Sequence, residues 1–401
     1  MTALTSPRGV CAPAEAATPR DKAADLVPWL AGEAGRIEAA GRIPDDVAAR
    51  LAEADLFRIT QPVRFGGLGL GPAEAWEAVF EVARGCPSCA WVAGLCAANV
   101  LMLGKFSGAA QADVFLSGRP SIVPMLTGGV ASDVAVEPVG GGVRLSGRWR
   151  YASGIDVASL VGLLVEVPGL GPTVMLVERE HFSIDHGSWD VLGMRGTGSK
   201  TATLAGAFVP EHRFMGWAAL QRGERHPDCP NDEPIYGYPL NTVFAMSVLA
   251  PTLGVASAAA EEFRTLVLSR VNSGTRARQS EDRIAHVKVA ESEATMAMLR
   301  RSLLADARDV AAALERGETP DEAERAGIRM RVALSSRIAL AEAQTLFAAV
   351  GGSLLPRGTR MERLFRDLHA MSSHFLLQPD AIGEAYGRLL LGLELPPGAR
   401  L

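Results

Sequence analysis

The residues best suited to chemistry gather near the C-terminus. There Gly351-Gly352-Ser353-Leu354-Leu355-Pro356-Arg357 is followed by Glu362-Arg363-Leu364-Phe365-Arg366-Asp367-Leu368-His369-Ala370-Met371-Ser372-Ser373-His374. The glycine pair ends one Ala-rich segment, Pro356 and Gly358 occupy a connection, and the spacing predicts a new helix from about Met361. On that helix Arg363, Asp367 and His374 stand at i, i+4 and i+11, which returns them to one face. A base-type side chain above an ion pair can hold or move a proton. The same spacing also fits a solvated salt bridge beside an ordinary polar histidine. His369, five residues before His374, points to another side of the helix.

Other reactive types are poorly arranged. The five cysteines, Cys11, Cys86, Cys89, Cys96 and Cys229, are odd in number and have no disulfide-framework spacing. Cys86-Pro-Ser-Cys89 has no second pair or histidine for zinc and no preceding thioredoxin-like strand, so no metal site is expected. His181, His186, His212, His226 and His286 likewise lack metal-ligand spacing.

The elements that must position the C-terminal group follow from composition and period. A chain of 401 residues with 48% hydrophobic side chains can bury a large core in two or three domains. Lys+Arg 40 against Asp+Glu 45, a net charge of -5, leaves no footprint for nucleic acid or an anionic membrane. Residues 1–22 read as a loose tail without the apolar core of a signal peptide, and no stretch reads as long and charge-free enough to span a bilayer. A cytoplasmic location is expected.

From 23 to 118 the apolar period is helical, with Leu26, Leu30, Val47, Leu51, Ala54 and Leu56 and a helix start at Pro44-Asp45-Asp46. The loop Arg64-Phe65-Gly66-Gly67-Leu68-Gly69-Leu70 lacks the spacing and flanking strand of a phosphate-binding loop. From 119 to 215 the period changes to two: Val134 and Val136, Val143 and Leu145, Leu160 to Val167, Val174 to Val177, and Ala202 to Val209. Residues 216–240, with Pro227, Cys229, Pro230 and Pro234, form a connection expected to lie over a pocket mouth. From 241 to 401 four long helices are expected: Asn241 to Val271, Glu281 to Glu315, Pro320 to Val350 and Met361 to Leu393. In the second of these, Ile284, Val287, Ala290, Ala294 and Met298 form one apolar stripe. Short turns between such helices make an up-down bundle. No strand–Gly-rich turn–helix unit for a nicotinamide cofactor is visible.

This order, α-domain, β-domain, four-helix bundle, together with Gly-Gly, Glu-Arg-x-x-Arg-Asp and a following His, resembles the acyl-CoA dehydrogenase superfamily. Its nearest likeness is the branch of oxygenase components of two-component flavin monooxygenases (group D). The resemblance implies an α+β fold with an N-terminal helical domain, a central small β-barrel domain and a C-terminal four-helix bundle. Ser146-Gly147-Arg148-Trp149-Arg150-Tyr151-Ala152-Ser153-Gly154 is similar to the branch's segment beneath the flavin. By that likeness Ser153 meets flavin N5 and Trp149 flanks the ring. Leu192-Gly193-Met194-Arg195-Gly196-Thr197-Gly198-Ser199, followed by Phe208-Val209-Pro210, is similar to the superfamily's most specific signature. It implies that Arg195, Thr197 and Ser199 bind the cofactor, through hydroxyls and amides suited to flavin carbonyls or a phosphate. Arg276 stands where the family sets an arginine against the flavin phosphate, often from a neighbouring subunit. Ser88-Cys89-Ala90-Trp91-Val92-Ala93-Gly94 resembles the helix beside the substrate, which makes Trp91, Asn99 and His369 substrate-binding candidates.

Aromatic hydroxylases of the branch carry a histidine where this chain has Asn99. Asn cannot deprotonate a phenol, so the resemblance points to an electron-rich or indole-like ring, or to a nitrogen or sulfur centre. The implied chemistry uses reduced FAD, ahead of FMN, from a separate NAD(P)H:flavin reductase. O2 forms a C4a-hydroperoxyflavin beside His374 and Ser153, and a homotetramer is implied. Two rivals remain. An acyl-CoA dehydrogenase needs a carboxylate base, but one family position for it is Gly358 and the other falls in Asn241 to Ala260, which contains no Asp or Glu. The other rival is a non-catalytic flavin-fold binding protein.

Overall fold

The computed structural model describes residues 17–126, 132–271, 276–354, 356–396, 398–399 and 401. Cys11 lies outside them. The N-terminal domain holds α1 (Pro19–Ala40), α2 (Asp45–Glu53), α3 (Pro72–Gly85), α4 (Pro87–Leu103) and α5 (Gly108–Phe115). α1 starts inside the expected tail because Thr18 and Asp21 form a reciprocal capping box, which satisfies backbone N–H groups that the first turn leaves open. α4 is apolar all round and buried nearly throughout, as a helix enclosed by others must be. The glycine loop after α2 is structural: a Cβ on Gly67 would lie 2.0 Å from the Gln61 carbonyl oxygen.

The β-domain consists of β1 (Met125–Leu126), β2 (Ser132–Val139), β3 (Gly142–Ala152), β4 (Leu160–Val167), β5 (Gly171–Glu178), β6 (Phe182–Asp185), β7 (Lys200–Pro210) and β8 (Phe214–Gly216). Two four-stranded sheets form, in the orders β1-β4-β5-β8 and β2-β3-β7-β6. Leu145, Val161, Leu163, Met175 and Leu204 from both sheets share one core. The antiparallel pairing of β3 with β7 sets Ala152 opposite Lys200, with a register shift between Trp149 and Ala152. Tyr151 takes the left-handed conformation in that bulge (φ 65°), and the chain then turns away at Ser153-Gly154.

Residues 217–222 form α6 (Trp217–Arg222), and the rest of the Pro-rich connection packs against the C-terminal end of α4. His226 N–H donates to Lys105 O, Asn231 Nδ2 to Gly104 O, and the buried Lys105 ammonium to Tyr238 O. Trp91 and Gly104 are thirteen residues apart on this helix, about 20 Å. The connection therefore braces the far end of α4 rather than covering a mouth near Trp91.

The C-terminal region contains α7 (Leu240–Ser269), α8 (Arg283–Glu315), α9 (Glu322–Val350), α10 (Arg360–Ser372) and α11 (Pro379–Leu390). α7 corrects one expectation. It is long and apolar enough to cross a membrane, but 94% of its most apolar window is buried inside this protein. It packs against α3, α4, α8, α9 and α10 and forms the centre of the molecule.

Two further differences concern the bundle. The stripe Ile284, Val287, Ala290, Ala294 and Met298 is exposed, whereas Ala285, Ser292, Met296, Leu299 and Leu303 face inward. Both rows satisfy the helical period. Only the second runs on into Ala307, Val310 and Leu314, while the first is followed by Arg301 and Ser302. The expected last helix is also two helices. Pro379 disfavours helical geometry at Gln378, whose φ and ψ are -84° and 128°, so the chain turns a corner between Ser373 and Gln378.

Candidate active site

The break after α10 changes the setting of His374. It sits on the corner rather than on the helix (φ -63°, ψ 135°), and its Nδ1 accepts the Leu376 N–H at 3.3 Å. Nδ1 is therefore the acceptor of a neutral ring and Nε2 carries the proton. Dense packing and the charge of the buried Arg329 push the His374 pKa down to about 4, although part of the ring stays accessible. At neutral pH this imidazole is uncharged, with its Nε2–H left available to donate. Its ring meets that of Trp91 edge to face, with centroids 5.3 Å apart.

The expected ion pair below it does not form. Arg363 Nε instead reaches Glu38 at 3.0 Å, and Asp367 Oδ1 accepts the Met194 N–H at 2.6 Å. Arg366 adds a bond to Leu192 O at 2.8 Å and pairs with Glu362 and Glu38. α10 thus holds the turn Leu192-Gly193-Met194 by both backbone and side chain. Burial raises the Asp367 pKa to about 6, against the Met194 N–H and the charge of Arg366, which lower it. The folded value lies above the unfolded one, so this group favours the fold at acid pH, and that contribution is lost as pH rises through 6. Asp367→Asn keeps an acceptor for Met194 N–H and removes the charge. It is expected to gain up to about 3 kcal/mol over the wild type at pH 8 and to gain nothing at pH 4. Urea midpoints at both pH values check this, and an equal loss at both would count against it.

The turn held by α10 carries the hydroxyl group. Gly196 is wedged against Ile37 of α1 and Ser88 of α4, and Gly198 lies in the left-handed region (φ 54°) beside Asp156 and Gly41. Thr197 Oγ1 donates to Met194 O at 2.8 Å and lies 2.7 Å from Ser199 Oγ, which lies 2.8 Å from Ser153 Oγ. The β3–β7 register accounts for that meeting, and Gly154 N–H donating to Thr197 O at 2.8 Å extends it. Trp91 Nε1 donates to Ser153 Oγ at 3.3 Å. Ser153, Thr197, Ser199 and Trp91 are all buried. Ser199 borders a cleft of about 320 Å³ whose walls also include Arg148, Arg150, Tyr151 and Trp189.

The structure brings Trp91, Ser153, Thr197, Ser199 and His374 together. It does not bring the others. Trp149 lies in the core between the sheets, 1% exposed, because Ala152 and Trp149 face inward on β3 while Arg150 and Tyr151 face out. Arg195 turns back to Asp190 and to Val191 O. His369 packs on Phe365 and donates from Nδ1 to Phe365 O at 2.7 Å, facing α9. Arg276 is exposed on the α7–α8 connection with φ 62° and borders neither cleft. Asn99 is buried on α4. Its Nδ2 donates to Val123 O at 2.6 Å, and its Oδ1 has no partner among the described residues. Asp367 and Trp189 were missed as site-forming residues. The i, i+4 spacing of Arg363 and Asp367 reads as an ion pair, which hides the bond that Asp367 accepts from Met194 N–H.

Buried hydroxyls beside a cleft with two arginines and an aromatic pair, Tyr151 edge-on to Trp189 with centroids 6.4 Å apart, suit a flat, polar-edged ring system. The residues present therefore fit a flavin. Comparison with known proteins agrees. The acyl-CoA dehydrogenase N-terminal domain profile matches residues 18–118, and the acyl-CoA dehydrogenase C-terminal domain profile matches residues 246–379. The oxygenase subunit HsaA of a flavin-dependent monooxygenase from Rhodococcus jostii (strain RHA1) is 31% identical over 92% of this chain and 97% of its own. The oxygenase component of an FADH2-dependent resorcinol hydroxylase from Rhizobium sp. (strain MTP-10005) is 31% identical over 93% of this chain and 94% of its own. The crystal structure of 3-HSA hydroxylase from Rhodococcus sp. RHA1 superposes with a TM-score of 0.87 at 28% identity, covering 96% of this chain and 99% of that one. The chain belongs to the acyl-CoA dehydrogenase superfamily, within its branch of oxygenase components of two-component flavin-dependent monooxygenases.

Proposed function

We propose that the protein takes reduced flavin from a separate NAD(P)H:flavin reductase and uses O2 to hydroxylate an electron-rich aromatic or indole-like ring. The observation that carries this reading is the pairing of a neutral His374 with the buried Ser153 hydroxyl across the Trp91 indole. Reduced flavin, when bound, supplies the electrons that make O2 an electrophilic oxygen donor. Ser153 offers an oxygen at the flavin edge. His374, uncharged, holds a proton at Nε2 close to the reacting oxygen without drawing in counter-charge or bulk water.

Asn99, eight residues and about 12 Å along α4 from Trp91 and outside the cluster around Ser153 and His374, favours a substrate long enough to reach it with an N–H or O–H, since its open Oδ1 accepts but cannot deprotonate. The same acceptor leaves nitrogen or sulfur oxygenation on this scaffold as the second reading. Dehydrogenation finds little support, because the cluster of Trp91, Ser153, Thr197, Ser199 and His374 contains no carboxylate and Asp367 is bound to Met194. FAD is placed ahead of FMN. A second cleft of about 530 Å³, which shares Trp189 with the first, adds Arg42 and Arg179 for a second phosphate. Because free reduced flavin reacts with oxygen in solution, reductase and oxygenase belong in one compartment, which we take to be the cytoplasm.

The test is rapid mixing of the protein and reduced FAD or FMN with oxygenated buffer. A long-lived absorbance that matches neither reduced nor oxidised flavin supports the reading. Flavin oxidising as fast as it does free in solution refutes it.

A homotetramer completes the proposal. Ile284 and Met298 on α8 are 65% and 61% exposed, on a row of apolar residues that water covers poorly and a second copy would bury. Arg276, just before that row, would then serve a neighbouring subunit's flavin phosphate. The double substitution Ile284→Glu with Met298→Glu is expected to shift the mass in solution from tetramer towards smaller species. A monomeric wild type would remove both the assembly and the role of Arg276.

A further inference from the structure

Cys86 and Cys89 open α4, the helix that carries Trp91 into the site. Cys86 is the N-cap (φ -144°, ψ 107°), Pro87 follows it as the first helical residue, and Cys89 completes the turn. The geometry that lets an N-cap hydroxyl reach the amide three residues on also brings these two side chains together. Cys86 makes no capping bond with its side chain, and its thiol is hydrogen bonded to that of Cys89. This bond, and burial after it, raise the Cys89 pKa and hold that sulfur as a thiol. Both cysteines are free, and they are 2% and 0% exposed. The same turn bears on the site. A Cβ on Gly196 would meet Ser88 Oγ at 3.0 Å, Val92 lies against Gly154, and Trp91 donates to Ser153. By the helical period Cys86 and Cys89 face the other side of a helix about 10 Å wide.

We propose that Cys86 and Cys89 are a modification site, which hydrogen peroxide closes into a reversible disulfide that weakens flavin binding. The source of the oxidant rests on the flavin reading above: reduced flavin and O2 that meet without oxygenating a substrate give oxidised flavin and hydrogen peroxide, one helix width away. One thiol displaces water from the peroxide and becomes a sulfenic acid. The other attacks that sulfur, the S–S bond forms, and a second water leaves. Two thiols thereby lose two electrons and two protons, and one peroxide becomes two waters. Burial decides which oxidant acts, since glutathione disulfide is too bulky to reach this pair and peroxide is little larger than water. Bonding draws the sulfurs closer than a hydrogen bond does, and in a close-packed interior the first turn of α4 must shift to permit it. Ser88 and Trp91 move with that turn, and with them the contacts to Gly196 and Ser153. An oxygenase that wastes flavin then lets go of it until the thiols of a reducing compartment restore the pair.

The experiment treats the full-length protein with hydrogen peroxide or with glutathione disulfide, alkylates the remaining thiols after denaturation, and weighs the peptide that holds residues 86–89. Peroxide is expected to leave that peptide unalkylated and two hydrogens lighter, and dithiothreitol to reverse the change. Glutathione disulfide is expected to modify the partly exposed Cys229 and to leave the pair free. The bridged protein is expected to bind reduced FAD about tenfold more weakly, the worth of one ordinary hydrogen bond. Cys89→Ala and Cys86→Ala are each expected to keep their untreated affinity after peroxide, and either one carries this control if the other does not fold. Free thiols at 86 and 89 once peroxide has oxidised Cys229 overturn the proposal, as does a bridge that glutathione disulfide forms equally well. A bridge that leaves the affinity within about twofold of the untreated protein overturns its control of flavin. An untreated wild type that binds no reduced FAD defeats the flavin reading instead, while the peptide mass still decides the bridge, so the two failures are distinct.

Discussion

His374→Ala is expected to lower product yield by about 10² to 10⁴-fold while reduced flavin is still bound and oxidised, with hydrogen peroxide replacing the product. The expectation follows from the position of the ring. His374 lies on the corner after α10, edge-on to Trp91, with Nδ1 occupied by Leu376 N–H and Nε2 left to donate. Alanine removes that donor and leaves a space for water, and both changes favour loss of peroxide over oxygen transfer. Paired assays of product and peroxide per flavin oxidised measure the effect, and unchanged coupling would remove His374 from the mechanism. The pH dependence has a definite sign. With a pKa of about 4, His374 is already neutral throughout pH 5.5 to 8, so coupling should stay flat there and fall only as acid protonates the ring beside Arg329.

The second large effect is on stability. A Cβ at Gly193 would lie 2.3 Å from the Arg366 carbonyl oxygen and 2.7 Å from its carbon, both backbone atoms of α10 that no rotamer change can move. Gly193→Ala is expected to cost about 2 to 4 kcal/mol and to weaken flavin binding, since the 194–199 turn has to shift away from the helix. Thermal melting with Gly352→Ala as the control checks this, because nothing lies within 4 Å of a Cβ at Gly352. Equal melting temperatures for the two variants would mean that the turn yields more easily than the contact implies.

How much of this was legible in the sequence depends on the kind of interaction. Period gave the helices and most strands, because burying a face imposes a repeat that one chain can display. Ser153, Thr197, Ser199, Trp91 and His374 were found through short motifs resembling the superfamily, and the structure assembles them. Short elements went unread, among them β6 and β8, where three or four residues show no period. The α8 stripe failed for a different reason: over the first turns two rows of one helix both keep the helical period, and only the continuation of the second into Ala307, Val310 and Leu314 marks it as the covered one. Trp149 failed because alternation along β3 sends neighbouring side chains to opposite faces, so a one-residue bulge at Tyr151 reverses the reading. The link between Asp367 and Met194 spans 173 positions and joins a side chain to a backbone amide, which leaves no trace in local pattern.

The clamp between α10 and the turn at Gly193 and Met194 bears on motion between domains. Ser153 and Ser199 belong to the β-domain and His374 to the bundle, so ordinary breathing of one domain against the other should vary the gap between them. Because Asp367 and Arg366 tie the hydroxyl-bearing turn to the helix that leads into His374, the two sides of the site ride on one rigid body. Any motion of the sheets against the bundle, on the microsecond-to-millisecond scale usual for domains, would then leave the spacing that governs oxygen chemistry little changed.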